Sequence, residues 1–219
     1  MVANNGVSAS ARAYRHLRDR IVSGSIAAGE MLSENDIAES LAMSRTPVRL
    51  ALVQLQQEGW VRIYPKRGAL VRGLSEEEVR QLMQARLVLE TGGVLDLSGK
   101  DRAELVVTLN QMIGEQAAAV GEGDWERFAK LSLDFHRALV AAGDNTYLTG
   151  FYDQIRDRQA MMLHQSQPVN EPRAHELIDE HRSLVAAVER GDREALLERL
   201  RIHLDDAYRG NTAHRRRSH

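Results

Sequence analysis

The 219-residue chain contains no cysteine, which excludes a disulfide framework and any thiolate metal site. No apolar run approaches the length of a membrane span, and the opening residues MVANNGVSASARAYRH lack the apolar segment of a secretory leader. A soluble, cytoplasmic protein is expected. Net charge is nearly absent too: 29 Lys and Arg against 31 Asp and Glu leave -2, a value that argues for no particular partner. Its distribution says more. Residues 1–75 carry ten Lys and Arg against six Asp and Glu, while the remainder carries nineteen against twenty-five. A basic part joined to an acidic one suits a nucleic-acid binder with a separate sensing or dimerising part. At 43% hydrophobic residues the chain is long enough for two cores.

The stretch SRTPVRLALVQLQQEGW, Ser44 to Trp60, reads as a helix. Ser44 is an N-cap whose hydroxyl can accept from first-turn amides, and Pro47 is tolerated in that turn. Val48, Ala51, Leu52 and Leu55 form one apolar stripe, and Gly59 is placed to end the helix. Arg45 and Arg49 lie off the stripe, four residues apart at the N-terminal end, where cations gain nothing from the helix dipole. They suit an anionic partner. Before this helix, Ala11 to Ser23 reads as amphipathic with Tyr14, Leu17, Ile21 and Val22 inward, and Ser33 caps a short helix facing the core through Ile37, Ala38 and Leu41. Two helices joined so tightly make a helix-turn-helix, whose second helix can enter a DNA major groove. VRIY and ALVRG around PKRG predict two short strands and a basic turn, a wing.

From Glu76 onward no strand-like alternation stands out. Six segments carry apolar residues at helical spacing: Glu76 to about Leu97, Asp101 to Val120, Asp124 to Ala142, Asn145 to His164, Arg173 to Arg190 and Asp192 to Tyr208. Short Gly, Pro and Asp links favour an antiparallel bundle. The expected architecture is mainly α: residues 1–73 a winged helix-turn-helix, residues 74–210 an all-helical effector-binding and dimerisation unit, and residues 211–219 a disordered tail.

The run AGEMLSENDIAESLAMSRTPVRLALVQLQQEGWV resembles the GntR family of bacterial transcription regulators. RLVLE at Arg86–Glu90, FHRALVAAGDN at Phe135–Asn145, and EHRSLVAAVERGD with HLDDA between Glu180 and Ala207 are similar to the FadR-like branch with an FCD effector domain. The resemblance covers nearly the whole chain and implies a ligand-responsive, DNA-binding homodimer, most often a repressor and not an enzyme. The implied partners are a short pseudo-palindromic duplex operator and a small organic acid. Three departures stand out: Leu50 replaces the usual Glu, Asn35 replaces a DNA-contacting Arg of some members, and Ser132 replaces the Asp of metal-binding members. Asp134 does not repair the last, because a two-residue offset points to roughly the opposite helix face.

The resemblance places Arg45 and Arg49 at base edges, while Ser44 and Thr46 suit backbone oxygens. Lys66 and Arg67, with Gly68 allowing close backbone approach, would lay the wing against the minor groove or its phosphates. Two solvated arginines are the bland alternative. Leu50 contacts a thymine methyl or, more simply, packs on the neighbouring module. In the bundle, the resemblance joins His136, His181 and His203 as ligands for zinc or a similar divalent ion, with Ser132 beside them lacking the anionic oxygen that would strengthen the site. Arg86 is the expected carboxylate clamp, in competition with a salt bridge to Glu90 one turn on. Asn145 either touches the effector or caps a helix, and the cap ranks first. Two other readings stay open: a DNA-binding dimer with a decayed pocket, and a three-histidine metallohydrolase lacking an evident general base.

Overall fold

The computed structural model describes residues 7–217, with side chains described as far as residue 206. It divides into two compact units, residues 1–73 and 74–219. In the first, helix α1 (Ala9–Val22) buries Ala13, Leu17 and Ile21, one residue in each successive turn. Tyr14 and Val22, expected inward, are only half-buried; the Tyr14 hydroxyl donates instead to Glu58 at 2.6 Å. Helix α2 (Glu34–Ser40) is capped by Ser33, whose side chain accepts from the Asp36 amide. Helix α3 (Arg45–Gln57) buries Val48, Ala51, Leu52 and Leu55 and packs them on α1. Gly59, at φ +78°, turns the chain out of it.

Strands β2 (Val61–Tyr64) and β3 (Gly68–Val71) pair antiparallel, with Val61 opposite Val71 and Tyr64 opposite Gly68. A third strand, β1 (Met31–Leu32), pairs on the other side of β3. Two residues are too few for alternation to announce it. β1 also explains Gly68, which sits at φ +112°, where an added Cβ would strike the Leu32 carbonyl. The bare Cα serves the sheet itself, a role distinct from the DNA approach expected of it.

The second unit is an antiparallel bundle. Its helices are α4 (Glu76–Gly93), α5 (Gly99–Gly121), α6 (Trp125–Ala141), α7 (Thr146–Gln165), the short α8 (Gln167–Asn170), α9 (Ala174–Arg190) and α10 (Arg193–Arg217), with a 3-10 turn at Glu171–Arg173. Ser75 and Glu78 start α4 with a reciprocal capping box. Asp124 caps α6, and Gly191 ends α9 in the left-handed region. Helix α10 runs on through Asn211 to Arg217, where a disordered tail was expected, because nothing after Gly210 breaks a helix. The last two residues lie outside those described. Phe128, Phe135, Leu109, Leu139, Ile178 and Leu184 are fully buried and fill the centre. No helix among the described residues is long and apolar enough to cross a membrane.

Helix α4 stops at Gly93, short of the Leu97 expected, and there its backbone meets α6. A Cβ on Gly93 would overlap the Leu139 carbonyl and the Val140 backbone, and one on Gly143 would lie 2.6 Å from the Gly93 oxygen. Glu90 is one turn before Gly93 and His136 one turn before Leu139 and Val140, so this approach draws both into reach of each other. Substituting Gly93→Ala tests it. Helix propensity alone would favour alanine by about 1 kcal/mol, but forced separation of the two backbones should destabilise the protein by about 1 to 3 kcal/mol net in urea unfolding. A neutral or stabilising result would show that the helices part without penalty.

Candidate functional site

The first unit sets four exposed cations, Arg45, Arg49, Lys66 and Arg67, along one groove. Ser44, Arg45, Thr46, Arg49, Lys66 and Arg67 are all exposed, with 60% and 61% of the Arg45 and Arg49 side chains open to solvent. A groove runs from the start of α2 across Arg45 and Arg49 to Tyr64, Lys66 and Arg67 in the wing. Lys66 takes a left-handed backbone, φ +63°, at the tip of the turn. Ser44 occupies the cap position of α3, yet its side chain makes no capping bond, which leaves the first-turn amides without a side-chain acceptor. Leu50 is 58% exposed.

Glu34 is a residue that sequence reasoning missed. As the first residue of α2, its carboxylate accepts from Arg49 Nη2 at 2.9 Å and Arg49 Nε at 3.3 Å, and from Arg45 Nη2 at 3.4 Å. Hydrogen bonding from Arg49 lowers its pKa below the ordinary carboxylate value. One anion thus holds two like-charged guanidinium groups side by side on the exposed face. Exposed pairs of this kind contribute little to stability, so a phosphate or a base edge can displace them.

In the second unit His136 of α6, His181 of α9 and His203 of α10 are buried and offer ligand atoms within 4.8 Å of one another, a cluster that could hold a metal ion. Each ring is anchored by its outer nitrogen. His136 Nδ1 lies 2.7 Å from Glu90 Oε2, His203 Nδ1 2.6 Å from Glu180 Oε2, and His181 Nδ1 2.7 Å from Gln116 Oε1. These oxygens suit Nδ1 protons, and the Nε2 atoms face the centre of the cluster. The Gln116 amide is itself oriented by donation to the Leu131 carbonyl at 3.3 Å. Inside the cluster, His136 Nε2 and His203 Nε2 stand 3.1 Å apart, and His181 Nε2 is buried without a hydrogen-bond partner. Burial, followed by the nearby Arg86 charge, lowers the His136 pKa well below its usual value; burial, then the neighbouring histidines, does the same for His181. Both rings are neutral near pH 7.

Arg86 and Glu90 are both buried and pair through Nε and Oε1 at 2.8 Å, so the salt bridge and the cavity position, weighed as alternatives, occur together. Burial opposes the charge on Arg86, yet Glu90 and Tyr152 beside it raise its pKa; burial raises that of Glu90 in spite of Arg86. Ser132 lines the same cavity as Arg86 and the three histidines. Asn145 does not. It is exposed and its side chain accepts from the Tyr147 and Leu148 amides, so it caps α7, the alternative ranked first for it, and the effector contact is not made by the cavity lining. Asp134 pairs with Arg156, away from the cluster.

The FCD domain family matches residues 81–206, and the bacterial regulatory protein family gntR matches residues 9–71. The chain belongs to the GntR family. It is a DNA-binding transcription regulator with an FCD domain. Among its relatives, the gluconate operon transcriptional repressor of Bacillus subtilis is 30% identical over 91% of this chain and 83% of its own length. The HTH-type transcriptional repressor RspR of Escherichia coli is 27% identical over 88% and 84%. A transcriptional regulator GntR from Rhodococcus sp. RHA1 shares the fold, with a TM-score of 0.74 at 22% identity over 94% of this chain and 99% of its own.

Within this GntR-family FCD domain, Glu90 joins two parts of the site: one oxygen meets Arg86 and the other His136. Its replacement by alanine leaves a guanidinium buried without its counter-charge. Glu90→Ala should lower stability by about 3 to 5 kcal/mol in chemical denaturation. A loss under about 1 kcal/mol, the scale of solvent-exposed pairs, would mean that water reaches Arg86.

Proposed function

We propose that this chain is a homodimeric repressor that reads a short pseudo-palindromic operator with two copies of α3, and whose bundle senses a small organic acid with the help of zinc or a similar divalent ion. The observation that carries the sensing role is the imidazole arrangement. Three outer nitrogens are each satisfied by an oxygen, and the inner Nε2 atoms converge on one point. A cation at that point would take a lone pair from each ring. His136, His181 and His203 would hold the ion, which would supply open coordination positions for a carboxylate oxygen. Ser132 adds no anion. Glu90 and Glu180 supply negative charge from behind the rings, which raises the basicity of the ligating nitrogens.

Arg86, buried beside the cluster, would take the acid's carboxylate, since guanidinium accommodates two oxygens in one plane. Binding is favoured over turnover because the carboxylates touching the imidazoles, Glu90 and Glu180, are committed to the outer nitrogens and so are poorly placed as general bases. At the other unit, Arg45 and Arg49 would reach base edges, the α3 amides and Ser44 and Thr46 the phosphates, and Lys66 and Arg67 the flanking backbone. A homodimer presents two such heads, which calls for a pseudo-palindrome. Repression follows the names of the B. subtilis and E. coli relatives. Acid can change operator affinity only by as much as it distinguishes the two states of the dimer.

Two measurements test this reading. Footprinting on genomic DNA should give two related half-sites, and on that sequence Arg45→Ala and Arg49→Ala should each weaken binding by about 1 to 3 kcal/mol in gel-shift titration; unchanged affinity in both would remove their base-reading role. Elemental analysis of protein made without a chelating tag should find one divalent ion per chain, absent from His181→Ala. An ion content that the substitution leaves unaltered would assign the metal elsewhere.

A further inference from the structure

Helix α3 carries an apolar strip on the face turned away from its own core. Thr46, Leu50 and Val53 follow at i, i+4 and i+7, so they share one line along the helix. Val48, Ala51, Leu52 and Leu55 occupy the opposite, buried side. Leu50 and Val53 are 58% and 38% exposed, and Thr46 is exposed as well. One exposed leucine is ordinary on a protein surface. This strip, however, lies among cations: Leu50 directly follows Arg49, and Val53 lines the groove shared with Arg45, Arg49, Lys66 and Arg67. Guanidinium groups combined with bare aliphatic carbon suit a partner that is anionic overall and offers an apolar point among its polar edges.

Duplex DNA is such a partner. Its major groove presents hydrogen-bonding atoms at every base pair and one kind of apolar group, the thymine C5-methyl. We propose that Leu50 is a specificity-determining residue that packs on a thymine methyl in each half of the operator, next to the base edges taken by Arg45 and Arg49. This rests on the reading of α3 as the helix that enters the groove. Leu50 stands in the second turn of α3, one turn beyond Thr46, so a helix deep enough for both arginines to touch bases carries it in with them. Contact with the methyl removes water from two apolar surfaces. Cytosine has only hydrogen at that carbon and leaves the leucine facing a gap, so Leu50 adds base preference without adding charge.

The test uses the full-length protein and the operator defined by footprinting, with each thymine replaced in turn by uracil, which removes the methyl and keeps every hydrogen-bonding atom. In gel-shift titration, uracil at one position per half-site should weaken wild-type binding by about threefold or more, the scale of one buried methyl. With Leu50→Ala the same replacement should change affinity by less than about 1.5-fold, whereas Leu50→Met, apolar and of similar volume, should keep the wild-type response. Wild-type tolerance of uracil at every position, or a half-site without thymine, would overturn the assignment. So would a uracil effect of equal size in Leu50→Ala, which would give the methyl to another side chain such as Thr46 or Val53. Arg45→Ala and Arg49→Ala separate this result from failure of the wider reading. If they weaken binding while no uracil does, only the leucine contact falls; if neither they nor any uracil does, α3 is not the reading helix and both fall. A melting curve checks that each variant is folded, and the wild-type uracil scan stands without them.

Discussion

A guanidinium and a carboxylate one helical turn apart, both out of water, set the terms for the C-terminal unit. Neither Arg86 nor Glu90 has solvent to stabilise its charge, so each depends on the other and on what surrounds the pair. Glu90 extends the dependence to His136, whose position orders the other two imidazoles through their shared centre. A bundle built only for stability would fill this volume with leucine. Here a chain of groups, Arg86 to Glu90 to His136, is kept polar at the heart of an apolar core, and the cavity beside it is lined by four residues with an unsatisfied buried atom: Arg86, Gln159, Asn170 and His181.

The two units handle charge in opposite ways. The N-terminal one displays Arg45 and Arg49 on its surface and restrains them with a single exposed carboxylate, an arrangement weak enough to yield to a polyanion. The C-terminal one encloses its ionised groups where each interaction is strong and few partners can enter. Reading nucleic acid calls for the first and selecting a small molecule for the second.

What could be read from the sequence follows how far apart the interacting residues lie. The α3 stripe, the cap at Ser33, the wing and the boundaries of most helices rest on neighbours within a turn or two, and those patterns were legible. Asn145 was weighed first as a cap for the same local reason. Glu34 was missed because its arginines are 11 and 15 residues away. The partners of the histidines were missed on the same ground: Glu90 is 46 residues from His136 and Gln116 is 65 from His181. Their periodicity put the three imidazoles on inward faces, but only likeness to a known family joined them. Gly93 fell inside a helix read as running to about Leu97 and Gly143 in a link between helices, and their shared role needs the facing helix to be seen.

That glycine contact has a mechanical side. Where backbone rests on backbone there is no side chain to change rotamer and absorb a displacement, so α4 and α6 meet there as two hard surfaces. A push on the guanidinium end of α4 arrives at the imidazole on α6 undamped, as it would through a rivet rather than a cushion.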